Sequence, residues 1–129
     1  MTRSILVVED QEDNRRIIRD LLSSASFEVI EAVTGEEGVA LAQSRRPDLI
    51  LMDIQMPVLD GYEATRRIKA DARLRHIPVI VVTSYALSGD DAKARAAGAD
   101  DYVAKPFAPR ELLAKIRAFL PQESTSPGA

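Results

Sequence analysis

Residues 48–61, D-L-I-L-M-D-I-Q-M-P-V-L-D-G, decide the fold that this chain is predicted to adopt. The unbroken apolar run at positions 49–52 is typical of a short strand that is buried on both faces of a parallel sheet. The run stops at Asp53, and a proline followed by an Asp-Gly pair then indicates a loop and a new helix. Because ligands of open α/β sheets collect at the carboxyl ends of the strands, Asp53 is the first candidate for function.

Strands and helices alternate along the rest of the chain. Short apolar runs, one of them interleaved with acidic residues, predict further strands at residues 4–8, 27–32, 79–82 and 101–104. Apolar residues at helical spacing predict five helices, and Pro and Gly residues mark some of their ends. The helices are predicted from Asn14, after Thr34, after Asp60, over residues 88–97 and from Pro109. Five strand-helix pairs in strict alternation favour an α/β fold, a flavodoxin-like doubly wound parallel sheet of order 2-1-3-4-5 with five helices.

Local signals predict where some of these helices begin and end. Thr34 followed by Glu37 is a capping-box pattern, and Asp60 followed by Glu63 repeats it. Gly98 is the predicted stop of the fourth helix. The apolar face of the third helix is predicted to contain Ala64, Ile68 and Ala72.

Length and composition limit the classes of protein to consider. The 129 residues are 46% hydrophobic and 29% charged, as in an ordinary soluble domain, and none is cysteine, which excludes disulfides and thiolate-bound zinc. The net charge of −3 argues against general nucleic-acid binding, and no apolar run approaches the roughly 18 residues of a membrane helix. We expect a cytoplasmic protein with one domain at residues 1–120 and a flexible polar tail at residues 121–129.

Polar residues follow four of the predicted strands. They are Glu9 and Asp10, Asp53, Thr83 and Lys105, and in a parallel sheet all of these positions lie at one edge. Carboxylates 4 Å apart repel by about 1 kcal/mol in water and by about 4 kcal/mol at an effective dielectric constant of 20, so they stay ionised together only with a cation. Oxygen ligands of this kind suit Mg²⁺. A carboxylate nucleophile, a divalent ion, an ammonium and a hydroxyl are the groups that acceptance of a phosphoryl group requires.

Other charged and polar residues have simpler interpretations. Glu12, Asp13 and Asp60 are interpreted as solvated loop residues or helix caps, and His76 as a structural loop residue. Six arginines are interpreted mostly as solvated faces: Arg15, Arg16, Arg66, Arg67, Arg73 and Arg75. Those on the first helix, Arg15 and Arg16, could meet a partner. Tyr102 is ambiguous between packing and switching.

Four motifs together resemble the receiver domain of two-component response regulators, the CheY-like family. They are E-D at 9–10, L-I-L-M-D-I-Q-M-P-V-L-D-G at 49–61, V-V-T-S at 81–84 and Y-V-A-K-P-F at 102–107, and the resemblance covers residues 3–120. Among receivers, the sequence most resembles the stand-alone, single-domain ones. It implies that Asp53 accepts a phosphoryl group from a phosphohistidine donor.

The resemblance also implies a metal site and a dephosphorylation site. Asp10 and Asp53 would bind Mg²⁺ directly, Glu9 through water, and Gln55 by its backbone carbonyl. Gln55 and Tyr85 match the two positions that tune dephosphorylation.

The remaining matched positions imply a switch. Lys105 matches the phosphate-binding lysine, and the Lys105–Pro106 peptide bond would be cis. Thr83 matches the switch hydroxyl and Tyr102 its aromatic partner, so phosphorylation would alter the surface of the fourth helix, fifth strand and fifth helix. The alanine-rich fourth helix is hypothesised to be easy to displace.

The partners implied are a histidine kinase or histidine phosphotransfer protein and a downstream protein, with no direct nucleic-acid or membrane contact. The chain itself would be a monomer or a weak, phosphorylation-linked homodimer. It would be a phosphoacceptor switch that catalyses only its own phosphorylation and slow dephosphorylation.

Three alternatives remain. The chain could be the receiver piece of a larger response regulator or hybrid histidine kinase. A Mg²⁺-dependent phosphatase of the haloacid dehalogenase type needs a second acid two residues after the nucleophile, where this chain has Gln55. A flavodoxin-like cofactor binder needs a phosphate-holding loop after the first strand, where this chain has E-D-Q-E-D. There is also no G-x-x-x-x-G-K motif.

Overall fold

The computed structural model describes residues 3–54, 59–83 and 90–120 of the chain. Its strands are β1 (Ser4–Val8), β2 (Glu28–Ala32), β3 (Leu49–Asp53), β4 (Val79–Thr83) and β5 (Asp101–Ala104). Its helices are α1 (Glu12–Ser24), α2 (Gly35–Arg45), α3 (Gly61–Ala70), α4 (Asp90–Ala97) and α5 (Pro109–Phe119). Within the described residues, none of the helices has the length and apolar character of a membrane span.

The strands form one parallel sheet in the order β2-β1-β3-β4-β5, which confirms the predicted fold class. β3 lies at the centre, and all five of its residues are buried. In the register of the sheet, Leu51 lies between Val7 of β1 and Ile80 of β4. Because β3 and β4 are buried on both faces, their sequences are continuous apolar runs.

The core has a layer on each face of the sheet, since successive strand residues point to opposite sides. On one side, Leu6, Val8, Ile50 and Met52 pack with residues of α2, α3 and α4. On the other side lie side chains from β1, β3, α1 and α5: Ile5, Val7, Leu49, Leu51, Ile18, Leu22, Leu112 and Ile116. Full burial stabilises the fold by about 1.5–3 kcal/mol for each large aliphatic side chain.

The predicted helix caps are present. The Thr34 hydroxyl accepts a hydrogen bond from the Glu37 amide at 3.0 Å, and the Asp60 carboxylate accepts one from the Glu63 amide at 2.9 Å. Gly98 follows α4 with φ of +100°, in the region that favours glycine and ends helices. These local contacts position the loops that enter α2 and α3 at the carboxyl edge of the sheet.

Two predicted details of the helices are wrong. α1 begins at Glu12 rather than Asn14, because its acidic residues occupy the first turn, where the helix dipole favours negative charge. α3 ends at Ala70, so Ala72 lies outside the helix and is exposed. The Asp71 carboxylate accepts a hydrogen bond from the Arg73 amide at 2.9 Å, and this turn leaves Leu74 to enter the core.

Candidate functional site

Polar residues lie at the carboxyl ends of four strands, at one edge of the sheet. Glu9 follows β1, Asp53 ends β3, Thr83 ends β4 and Lys105 follows β5. Glu9, Asp53 and Thr83 are 2%, 5% and 1% exposed. Such burial is unusual for carboxylates and a hydroxyl unless they have partners.

Lys105 joins two of these carboxylates. Its Nζ lies 3.2 Å from Glu9 Oε1 and 3.5 Å from Asp53 Oδ1. The Lys105 amide donates to the Thr83 carbonyl at 2.6 Å, which holds the start of the following loop against the end of β4. The next peptide bond, Lys105–Pro106, is cis. The ammonium therefore lies between acids that are 96 and 52 residues away along the chain.

Glu9, Asp10 and Asp53 form a carboxylate cluster among the residues that the structure describes. Each offers one oxygen, and these oxygens all lie within 4.8 Å of one another. Burial raises the pKa of Glu9, and the charge of Asp53 raises it further, whereas the Gln11 amide and Lys105 oppose the rise. The Gln11 N–H donates to Glu9 Oε2 at 3.2 Å. An all-oxygen cluster with excess negative charge suits a hard divalent cation such as Mg²⁺.

Gly61 brings the first turn of α3 against the end of β3. A Cβ at this position would overlap the Asp53 carbonyl oxygen and lie 2.8 Å from Ile54 Cα. The Gly61 amide donates to the Ile54 carbonyl at 3.1 Å. Because these neighbours are backbone atoms, a side chain at position 61 would displace the segment that carries Asp53. The sequence indicated only a turn here, since the close approach is made by folding.

Thr83 and Tyr102 lie on neighbouring strands. Tyr102 is paired in register with Val81, two residues before Thr83. Its side chain is half-buried and packs against the core layer of α2, α3 and α4. Gln55 and Tyr85 lie outside the described residues, so their predicted roles stay predictions.

The residues with simpler interpretations lie on the outside. Glu12 and Asp13 are exposed in the first turn of α1, Asp60 is the exposed cap of α3, and His76 is exposed before β4. The interpretation as a solvated face is wrong for Arg15. Its side chain is 15% exposed and contacts both Glu31 and the main chain of Glu9. No linear pattern marks this contact, because Glu31 comes from β2.

Comparison with known proteins agrees with this fold. The family model of the response regulator receiver domain matches residues 5–117. The chain therefore belongs to the response regulator receiver domain family, which acts in two-component signalling, and the resemblance predicted from the four motifs is confirmed.

Individual relatives resemble the chain over nearly their whole length. The polar-differentiation response regulator DivK of Brucella ovis is 42% identical over 120 residues, which cover 93% of this chain and 98% of that protein. DivK of Brucella anthropi gives the same identity and coverage.

Solved structures of receiver domains and chemotaxis proteins also resemble the chain. The receiver domain of sensor histidine kinase PA1611 from Pseudomonas aeruginosa is 39% identical with a TM-score of 0.88, covers 95% of this chain and 100% of its own, and has a magnesium ion coordinated in its active site cleft. The chemotaxis protein CheY4 of Vibrio cholerae is 28% identical with a TM-score of 0.87 and covers 92% of this chain and 99% of its own.

Proposed function

We propose that Asp53 accepts a phosphoryl group from a histidine kinase or histidine phosphotransfer protein, and that the chain acts as a phosphorylation-dependent switch for a downstream protein. The observation that carries this proposal is the contact of Lys105, whose side chain is 21% exposed, with two buried carboxylates. One ammonium lies 3.5 Å from Asp53 and 3.2 Å from Glu9, beside the carboxylate cluster. A nucleophilic carboxylate with a fixed cation beside it is suited to phosphoryl transfer, in which positioning and charge stabilisation supply most of the catalysis.

Asp53 is the nucleophile in this proposal. One of its carboxylate oxygens forms a bond to phosphorus as the bond from phosphorus to the donor imidazole breaks, and the imidazole nitrogen keeps the electron pair. Lys105 then neutralises part of the charge on the phosphoryl oxygens. Its present contact with Asp53 supports this role, because a group attached to that carboxylate would remain near the ammonium.

Glu9, Asp10 and Asp53 would hold Mg²⁺, with the Gln55 backbone carbonyl as the further ligand implied by the family. The cluster fits this ion because all of its donor atoms are oxygens and because three carboxylates offer oxygens that lie within 4.8 Å of one another. Mg²⁺, when bound, would supply positive charge that screens the carboxylates from the incoming phosphoryl oxygens. The magnesium ion in the PA1611 receiver domain supports this assignment.

Thr83 and Tyr102 would transmit the phosphorylation state to the surface of α4, β5 and α5. The packing of α4 supports a movable element: of its side chains that the structure describes, the buried ones are Ala94 and Ala97. α5 instead buries Leu112 and Ile116. Because alanine buries much less apolar area than leucine or isoleucine, displacing α4 costs less free energy than displacing α5. A downstream partner would bind this surface. The chain would be a monomer, or a weak phosphorylation-linked homodimer formed through the same surface.

Intact mass spectrometry tests the acceptor. Wild type, Asp53→Asn and Asp60→Asn are incubated with acetyl phosphate and Mg²⁺, and wild type also with a chelator. Asp60 is the control, since it is an exposed acid at the start of α3 and lies outside the cluster. We expect one added phosphoryl group on wild type and on Asp60→Asn, and none on Asp53→Asn or in chelator. Equal labelling of Asp53→Asn would overturn the assignment of Asp53.

A protein donor provides the second arm. If acetyl phosphate fails, a phosphorylated histidine phosphotransfer protein from the same organism replaces it. Absence of labelling from both donors would count against the phosphoacceptor function.

A further inference from the structure

Arg15 makes a contact that the acceptor mechanism does not use. It lies near the start of α1, where its amide donates to the Gln11 carbonyl at 3.0 Å. Its side chain turns back toward the end of β1, and Nη1 donates to the Glu9 carbonyl oxygen at 3.0 Å. That carbonyl belongs to the peptide unit that joins Glu9 to Asp10. Because a peptide unit is planar, fixing its carbonyl also limits the directions in which the two neighbouring side chains leave the backbone.

Glu31 of β2 holds the other side of the guanidinium. Its Oε1 accepts from Arg15 Nε at 3.2 Å. The Arg15 side chain is 15% exposed and that of Glu31 is 31% exposed, so water screens this pair less than a fully exposed pair. A guanidinium has donors in a rigid plane, so a contact at Nε fixes the direction of Nη1. Glu31 therefore orients the group that orients the Glu9–Asp10 peptide unit.

The backbone of Glu9 is held on its other side by the sheet. Its amide donates to the Ala32 carbonyl at 3.0 Å, one residue beyond the last pair of the β1–β2 register. Arg15 and Ala32 thus hold the two main-chain polar groups of a residue that lies just past the end of its strand. The side chain of Glu9 is held in turn by Gln11 and Lys105.

We propose that Arg15, oriented by Glu31, is a positioning residue for the divalent-cation site, which sets the geometry of Glu9 and Asp10 through their shared peptide unit. This inference rests on the Mg²⁺ role proposed above. Mg²⁺ demands near-ideal octahedral geometry, so a small rotation of that peptide unit weakens binding. Loss of groups that orient metal ligands typically lowers metal affinity by about 10- to 100-fold.

Arg19 provides a matched control within the same cluster. Its Nη1 lies 3.2 Å from both carboxylate oxygens of Glu31, one turn further along α1. It therefore ties α1 to β2 through the same acid as Arg15, and the contacts described for it do not include Glu9. A purely structural role for Arg15 predicts that Arg15→Met and Arg19→Met behave alike, because methionine keeps much of the aliphatic side chain in both.

The test is calorimetric titration of the full chain with MgCl₂, for wild type, Arg15→Met, Arg15→Lys and Arg19→Met. Urea unfolding in chelator verifies that each variant folds. We expect Mg²⁺ affinity to fall about tenfold in Arg15→Met and by less than twofold in Arg19→Met. Arg15→Lys keeps a single donor nitrogen, so its Mg²⁺ affinity should lie between those of Arg15→Met and Arg19→Met. For each variant, the Mg²⁺ concentration that half-saturates labelling by acetyl phosphate should rise by the same factor as the affinity falls. The labelling rate at saturating Mg²⁺ should stay within about twofold of wild type.

The outcomes separate this inference from the proposed function. Equal Mg²⁺ affinity in wild type and Arg15→Met, or an equal loss in Arg15→Met and Arg19→Met, would overturn the positioning role and leave the acceptor function standing. Mg²⁺ binding by wild type without phosphorylation by either acetyl phosphate or the phosphotransfer protein would overturn the acceptor function, while the affinities still decide the role of Arg15. Absence of Mg²⁺ binding by wild type would overturn both. If Arg15→Met does not fold, the comparison of Arg15→Lys with Arg19→Met decides.

Discussion

Glu9 is an acidic residue that is almost completely buried. The direction in which its ionisation changes the free energy of unfolding follows from its pKa. Burial, and then the charge of Asp53, raise its pKa above the ordinary value of 4.5. The folded protein therefore holds a proton on Glu9 more tightly than the unfolded chain does. Its ionisation lowers the free energy of unfolding as pH rises from about the ordinary value through the raised pKa, and the loss persists at neutral pH.

Glu9→Gln should consequently stabilise the metal-free protein. We expect its free energy of unfolding at pH 7 in chelator to rise by about 1 kcal/mol, an ordinary magnitude for one substitution. The difference from wild type should shrink as pH falls, because protonated Glu9 resembles glutamine. Urea unfolding at several pH values measures it, and Mg²⁺ titration should show weaker binding. A variant less stable than wild type at pH 7 would contradict this account.

At the scale of elements, Lys69 connects α3 to the segments that precede β4 and β5. Its Nζ donates to the Ile77 carbonyl at 2.8 Å and to Asp100 Oδ2 at 2.8 Å, and it is 17% exposed. Asp100 Oδ2 also accepts from the Val79 amide at 2.8 Å. We expect Lys69→Met to lower the free energy of unfolding by about 1–2 kcal/mol, because partly buried, charged hydrogen bonds are lost.

Arg73→Met is the control for Lys69. Arg73 pairs with Asp71 at 3.4 Å, and its side chain is 65% exposed, so loss of the pair should change the free energy of unfolding by less than about 0.5 kcal/mol. Urea unfolding compares the two variants. Neither residue touches the carboxylate cluster, so both should be phosphorylated like wild type. Equal stability of the two variants would show that the Lys69 contacts contribute little.

The helices also differ in how firmly they are held. Ala94 and Ala97 are the buried side chains among those described in α4, whereas α5 buries Leu112 and Ile116 and α3 buries Ile68. We expect backbone amides of α4 to exchange with solvent faster than those of α3 and α5 at neutral pH, because less apolar surface opposes local opening. Hydrogen exchange followed by NMR measures this. Protection of α4 equal to that of β3 would argue against α4 as the moving element.

At the scale of the whole molecule, the carboxylate cluster joins β1 to β3, and Lys105 joins both to β5. A cation that binds the folded cluster and not the unfolded chain stabilises the entire domain, by about 2.7 kcal/mol at 100 times the dissociation constant. We expect Mg²⁺ to raise the melting temperature of wild type. Asp53→Asn should show a smaller rise, since it removes a charged ligand. Thermal unfolding with and without Mg²⁺ measures both, and the same melting temperature for wild type in Mg²⁺ and in chelator would contradict a built cation site.

The amino-acid sequence by itself determined the elements, their order and the set of strand-end residues. Hydrophobic periodicity, helix caps and turns each depend on a few neighbouring residues. The strand β3, the cap at Thr34 and the helix stop at Gly98 could therefore be predicted from local sequence. The continuous apolar character of β3 and β4 indicated a parallel sheet. From that sheet, convergence of Glu9, Asp53, Thr83 and Lys105 on one edge could be predicted.

Only the tertiary structure decided which of these groups touch. Lys105 reaches Glu9 and Asp53 across 96 and 52 residues, Gly61 lies against the Asp53 backbone, and Arg15 turns inward to Glu31 instead of facing solvent. These contacts depend on strand register and on the packing of helices over the sheet, which no local pattern specifies. Ala72 illustrates the same limit, because its spacing suited the face of α3 but the Asp71 turn ended the helix before it.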